Sequence, residues 1–225
     1  MKRLFDSVPA AIVWRYAAHA AMVGIALWNE ARPAPPIPDA VLAVVPRIDW
    51  IANHNYHVWL VCYIPVALAL WRADRRAFLH FLWIGGVLSL VRGVCIPLAG
   101  LGPVHGPDVN AGMDHAAMWR AWVAIVNPVS ALTTNVAHAG LTKDMFFSGH
   151  VSTTFLLWLY CRPHRLLGPI ALAGHAIVTA CVFFAHLHYT VDVVGAWAIT
   201  GLVWVWAVRR WPLVTPAAIP QESPQ

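Results

Sequence analysis

Charge is scarce in this chain. Asp, Glu, Lys and Arg together make up 11% of 225 residues, while hydrophobic residues make up 60%. A water-soluble domain carries about a quarter charged residues, so an ordinary soluble domain is excluded. Acidic residues are the scarcer sign, and the net charge is +5. In a membrane protein that surplus collects in cytoplasmic loops, so no nucleic-acid partner is expected. Cysteine is limited to Cys62, Cys95, Cys161 and Cys181, all in or at the end of apolar runs and without a CxxC. They read as small buried hydrophobes, which argues against a disulfide framework or a thiolate metal site. A cleavable leader is also not expected. MKRLFDSVPA starts like one, but Arg15 and His19 interrupt the apolar stretch and no small-residue cleavage site follows. An uncleaved first span is expected. No internal repeat and no second domain are discernible.

What the chain does have is long apolar runs. A helix needs about 20 residues to cross a bilayer, and six runs reach or approach this: about 11–28, 55–71, 78–98, 147–162, 167–185 and 188–208. Helices are the open structures that satisfy their own backbone in lipid. The expectation is an all-α polytopic membrane protein. It has six transmembrane helices in one unit over residues 1–210, a long outer loop between the third and fourth, and a disordered tail over 211–225. With the N-terminus inside, ten of the fifteen Lys and Arg fall on the inner side, including those of the short loops WRADRR and CRPHR. Both termini are therefore expected in the cytoplasm. The stretch 116–140 is fairly apolar but contains Arg120, Asn127 and Pro128. It reads as an interfacial or re-entrant part of the outer loop, because a full crossing there would move Arg162, Arg165, Arg209 and Arg210 outside.

Ionisable groups inside a span are costly and usually functional. Asp192 is the one acidic residue well inside an apolar run, and His188 lies four residues before it, on the same helical face. A carboxylate there can hold one imidazole nitrogen and leave the other free as nucleophile or base. A plain helix–helix hydrogen bond accounts for the pair equally well. KDMFFSGHV, residues 143–151, places Ser148, Gly149 and His150 at the start of the fourth span. Ser is a natural N-cap, Gly admits a ligand close to the backbone, and a helix N-terminus suits an anion. The plain alternative is a cap followed by an interfacial histidine. One inward and one outward pass separate His150 from His188, so both fall at the outer level, where Arg92 also lies. Two histidines, an aspartate, an arginine suited to phosphate and a helix N-terminus in one leaflet are what phosphoryl transfer through histidine requires.

These residues resemble the type 2 phosphatidic acid phosphatase (PAP2) superfamily, and more closely its sphingomyelin synthase branch. Asp144, Phe147, Ser148, Gly149 and His150 match D-x-x-F-S-G-H. His186, His188, Tyr189, Thr190, Asp192 and Val193 match H-x-H-Y-T-x-D-V, and PPIPD (35–39) and VRGVCIPLAG (91–100) match in order. The resemblance implies six transmembrane helices, no metal and no other cofactor. It implies His188 as nucleophile, Asp192 as its partner and His150 as acid/base. Arg92, Lys143, Asp144, Ser148, Gly149, His186 and Tyr189 are the expected substrate-binding residues. Donor and acceptor would be membrane lipids. A phospho-head group such as phosphocholine or phosphoethanolamine would pass from a glycerophospholipid to ceramide or a related lipid alcohol, releasing diacylglycerol. The alternative is a lipid phosphatase or phospholipase C-type hydrolase on the same scaffold.

The chain departs from that pattern in places. Cys181 and Val182 stand where the phosphatase branch has Ser-Arg, which favours a phosphodiester over a phosphomonoester. Lys143 replaces a glycine, and Leu187 separates the two histidines where an acidic residue is common. A non-catalytic transporter or binding protein would need both histidines and Asp192 to be packing groups. A shared metal on His186 and His188 is disfavoured, since HLH on a helix turns the two rings about 200° apart. His19, His80 and His175 are expected to be structural. With neither a long tail nor a signal peptide, the chain reads as a bacterial inner-membrane protein with its site on the periplasmic side.

Overall fold

A computed structural model describes residues 7–127, 129, 130 and 140–213, and every described element is a helix or a loop. In chain order the helices are α1 (Val8–Glu30), α2 (Asp49–Ala73), α3 (Arg75–Ala99), α4 (His115–Val126), α5 (Gly149–Cys161), α6 (Leu167–Phe184) and α7 (Thr190–Arg210). The molecule is an all-α membrane protein. Five helices, all but α4 and α5, are long and apolar enough to cross a bilayer. Lys2, Arg3, Pro128, His138 and most of the expected tail, 214–225, lie outside the described residues.

Local signals start and stop these helices. Ser7 caps α1 by accepting from the Ala10 N–H, and a proline follows within the first turn. Asp74 separates α2 from α3 and caps α3 through the Ala77 N–H at 2.9 Å. Gly100, at φ 57°, ends α3 in the left-handed conformation. Pro65 and Pro97 sit within α2 and α3.

α1 and α3 pack closely and run parallel, with Trp14 against Gly86 and Met22 against Gly93. α2 lies against α6. α5 stands in the middle, touching α2, α3, α6 and α7. Eight of its thirteen residues are buried, which explains why its sequence is apolar on every side. Polar side chains fasten α5 to its neighbours. Ser152 pairs with Thr200 at 2.9 Å, and Thr154 with His175 Nδ1 at 2.9 Å. The far nitrogen of His175 accepts from the Trp197 indole at 2.9 Å.

The sequence suggested a helix over 147–162, and the structure gives a shorter one. Residues 143–148 form an irregular strap, and Ser148 caps α5 through the Val151 N–H. Thirteen residues span about 20 Å, short of a ~30 Å hydrocarbon core. The strap leads into α5 from the Glu30 end of α1. Gly149 lies at Arg92 of α3, and Tyr160 pairs with His80 near the start of α3.

The stretch between α3 and the strap contains α4, twelve residues long and too short to cross. It descends beside α1. The Trp122 indole donates to the Ala20 carbonyl at 2.9 Å, and the Tyr16 hydroxyl donates to the Val126 carbonyl at 2.5 Å. Tyr16 is nine residues into α1, so the end of α4 lies level with the middle of that helix. Residues 131–139, most of the expected re-entrant piece, lie outside the described residues. Gly140 is again close to Ile125.

Candidate functional site

The α6–α7 turn brings His188 and Asp192 together. Ala185 ends α6, His186 takes a left-handed φ of 51°, and α7 starts at Thr190. Asp192 therefore lies in the first turn of α7, where an anion faces the helix's free N–H groups. Its carboxylate is fully buried and surrounded by donors. Oδ1 accepts from the Phe146 N–H at 3.0 Å, and Oδ2 from the Tyr189 N–H at 3.0 Å. His188 Nδ1 lies 3.3 Å from Oδ2. A carboxylate can only accept, so Nδ1 is the nitrogen that donates to Asp192 and Nε2 points elsewhere. Among the described residues, no protein partner for Nε2 is found.

The Phe146 contact joins the two motifs. The strap 143–148 is tied to α7 twice, by Phe146 N–H on Asp192 Oδ1 and by Ser148 N–H on the Asp192 carbonyl at 3.1 Å. Arg92 fastens the other side of the strap. Its Nε donates to the Phe147 carbonyl at 2.6 Å. Nη2 donates to both the carbonyl and the carboxylate of Asp144 at 2.6 Å, and Nη1 points to Met22 Sδ at 3.3 Å. Four of its five donor positions are thus engaged by protein. Arg92 is a bracket for the strap, and only one N–H remains for a substrate.

A cavity of about 550 Å³ opens in front of these groups. His188, His150, Gly149, Asp144, Arg92 and His186 all line it. His150 stands edge-on to Trp59, with ring centres 5.5 Å apart. Trp59 is stacked near-parallel with Tyr63 on one side and Tyr56 on the other. The arrangement suits nucleophilic displacement at phosphorus. It offers a histidine with an oriented tautomer, a second histidine across the same space, and a helix N-terminus at Gly149.

The remaining expected substrate-binding residues sit apart from the cavity lining. The Lys143 side chain is fully buried, and its ammonium meets both Asp108 oxygens at 2.5 and 2.7 Å and the Arg32 carbonyl at 2.7 Å. All three of its donors are engaged, and the Lys143 backbone N–H goes to Glu30. Lys143 anchors the start of the strap because a cation buried inside the protein must find such partners. Tyr189 is also a peg. Its hydroxyl receives the Ile37 N–H at 3.2 Å and faces the Gly102 and Pro103 carbonyls at 3.3 Å. Ser148 is buried as a cap. His186 lines the cavity, but its Nε2 is 2.9 Å from the Val45 carbonyl.

The proline-rich stretch proves to be part of this frame. Asp39 accepts from the Thr190 N–H at 2.6 Å and the Thr190 hydroxyl at 2.9 Å, and so caps α7 from outside the helix. Burial opposes the charge on Asp39, but hydrogen bonds from Thr190, Leu42 and Val41 outweigh it and hold the carboxyl below its ordinary range. Residues 35–39 thereby brace the turn carrying His188. The sequence marked PPIPD only through a resemblance, and the N-cap partnership is its physical content.

Several cavity residues are not among those the sequence singles out. Arg15, counted by the sequence with the inner charges, and His19, expected to be structural, both line the cavity, as do Arg47, Trp59 and Ser89. One signal was available: Arg15 and His19 are four residues apart on one face of an apolar helix.

Comparison with known proteins agrees with this frame. Residues 143–209 match the family model described as PAP2 superfamily C-terminal. That segment contains the strap, α5, α6 and nearly all of α7, hence His150, His188 and Asp192. The resemblance to the superfamily is borne out there. The chain is 27% identical over 184 residues to phosphatidylcholine:ceramide cholinephosphotransferase 2 of Macaca fascicularis, covering 74% of this chain and 48% of that protein. It is 27% identical over 189 residues to phosphatidylcholine:ceramide cholinephosphotransferase 1 of Rattus norvegicus, covering 76% and 43%. The human form of the latter gives 27% over 187 residues, with 76% and 44% covered. The chain spans a little under half the length of these curated relatives.

Proposed function

We propose that this chain is a membrane lipid phosphotransferase. In this reading it moves a phospho-head group from a glycerophospholipid to ceramide or a related lipid alcohol. The observation that carries it is His188, held by Asp192 with Nε2 unengaged, facing the same cavity as His150. The relatives are named as phosphatidylcholine:ceramide cholinephosphotransferases, which supports a lipid donor and a ceramide-like acceptor.

His188 Nε2 attacks phosphorus, forming an N–P bond. The P–O bond to the diacylglycerol oxygen breaks, and that oxygen takes its proton from His150. Asp192 stabilises the charge that develops on the His188 ring. In the second half, the acceptor hydroxyl gives its proton to His150, its oxygen bonds to phosphorus, and the N–P bond breaks. The Gly149 end of α5 faces the negative charge on the phosphoryl oxygens. The reading also takes the strap and α5 as a sixth crossing, with both termini cytoplasmic and the site in the outer leaflet of a bacterial inner membrane.

The test is a product assay on purified protein in lipid. Labelled phosphatidylcholine, phosphatidylethanolamine and phosphatidylglycerol are supplied with and without ceramide. A ceramide-linked head group, absent in His188→Ala, is the expected result. Diacylglycerol with free head-group phosphate, indifferent to ceramide, would instead assign a hydrolase whose acceptor is water. No turnover of any phospholipid would overturn the reading.

A further inference from the structure

The cavity has more cation and N–H donor than its protein partners use. Three arginines, Arg15, Arg47 and Arg92, line it against one carboxylate, Asp144. Arg92 is paired with Asp144 and Arg47 with Asp49. Arg15 has no carboxylate partner among the described residues, and its hydrogen bond goes to the Ser89 hydroxyl. Two further donors are buried without an acceptor, Arg47 Nε and Trp59 Nε1, and both residues line the same cavity.

The position of Arg15 is built. A Cβ on Gly85 of α3 would fall 2.8 Å from Arg15 Nε, so the glycine makes the groove in which this side chain lies. From Gly85 the guanidinium runs to Ser89, one turn further along α3. Arg92 is less than one turn beyond Ser89. Arg15 therefore extends toward the catalytic end, away from the N-terminal ends of α1 and α3 where a snorkelling arginine would go. An arginine held inside an apolar helix pair, directed into a cavity and lacking a counter-charge, calls for an anionic ligand.

The same lining disfavours a cationic head group. An ammonium needs a free carboxylate or an open aromatic face. Asp144 is already bridged to Arg92. Both faces of the Trp59 ring are taken by Tyr56 and Tyr63, stacked on it at 26° and 13°.

Building on the transferase reading, we infer that Arg15 is a specificity-determining residue that selects donors with a net negative charge, a head group without an ammonium, over zwitterionic ones. Ser89 fixes the guanidinium, and Arg47 Nε and Trp59 Nε1 supply further donors to the same anionic, acceptor-rich ligand.

The test reads binding apart from turnover. His188→Ala protein, full length and in nanodiscs, is titrated with short-chain phosphatidylglycerol and phosphatidylcholine. Phosphatidylglycerol is expected to bind about tenfold tighter, the scale of one charge-assisted contact. Added Arg15→Met removes that preference, and Arg15→Lys keeps part of it. Ser89→Ala, which retains the charge and should fold even where Arg15→Met does not, lowers the ratio to an intermediate value. An unchanged ratio in all three variants, or an equal weakening of both lipids, overturns the assignment; the second result would mean that Arg15 reads only the shared phosphodiester. Turnover of the two lipids by the His188-containing protein is followed separately. An Arg15-dependent preference without turnover would leave this inference standing and sink the transferase. Turnover without such a preference would do the reverse.

Discussion

At the scale of single residues, the chemistry is concentrated in His188 and Asp192. His188→Ala is expected to abolish turnover while leaving a monodisperse folded protein, because the ring occupies a cavity wall and not a core position. Asp192→Asn keeps the size of the side chain. Its amide can no longer accept from Phe146, Tyr189 and His188 together, and the imidazole loses its oriented tautomer. A loss on the order of 10²–10⁴ in kcat is expected, read by the product assay. Arg92→Lys replaces a fork with a point charge. Three strap contacts depend on that fork, and breaking a buried ion-pair arrangement costs about 3–5 kcal/mol. Both Tm and kcat should fall, whereas loss of a phosphate contact alone would spare Tm. The His188–Asp192 pair was legible in the sequence because four-residue spacing on a helix is a geometric fact. The roles of Arg92 and Lys143 were not, because a cation's partner can be a backbone carbonyl, and backbone carbonyls leave no mark in a sequence. The cavity position of Arg15 was not legible, because a charge count registers where the Cα lies and not where the guanidinium ends, here at Ser89 of α3.

At the scale of elements, the site is a junction of one helix start and one strap, braced by a loop. Gly195 shows how tight the junction is. A Cβ there would lie 2.6 Å from the Phe146 ring. Gly195→Ala ought to favour the helix by roughly 1 kcal/mol, yet it pushes on the residue that donates to Asp192. The expected outcome is a clear loss of kcat in a protein whose helical content is unchanged by circular dichroism. Asp39 acts from the other side. Its carboxyl is held below its ordinary range, so its contribution is present above the unfolded-state pKa, about 3.9. That contribution is lost as pH falls through the lower folded value. The capping stabilisation, about 1–2 kcal/mol, should thus persist across neutral and mildly acidic pH and disappear only below about 4. Asp39→Asn should lower Tm at pH 7 and narrow the gap to wild type in strong acid. A gap that widens on acidification would contradict the direction of the shift. Four helices start on a Ser or Asp cap, and the sequence reading found the one at Ser148. The cap on α7 was hidden, since it comes from a residue 151 positions earlier.

At the scale of the whole molecule, apolar length was easy to read and the number of crossings harder. α5 would have been missed by a length criterion, because a central helix covered by four others needs no full-length lipid-facing surface. The 116–140 stretch was ambiguous for the opposite reason: it is apolar because α4 packs against α1. If the strap and α5 together cross, and α4 descends and returns, the loop after α3 lies outside and the loop after α5 inside. Two exposed positions report this directly, Val109 in the first and Leu166 in the second. In intact cells, Val109→Cys should react with a membrane-impermeant maleimide and Leu166→Cys should react only after the inner face is opened, with wild type correcting for the native thiols. Labelling of both from outside would mean that α5 does not cross. The positive residues Arg162 and Arg165 would then lie outside, against the charge rule. Chelation provides a second whole-protein check. His186 Nε2 turns to Val45 and His188 Nδ1 to Asp192, so the two rings are engaged by different partners and do not converge. Turnover should therefore survive EDTA unchanged, and inhibition reversed by added zinc would require the two histidines to leave these partners.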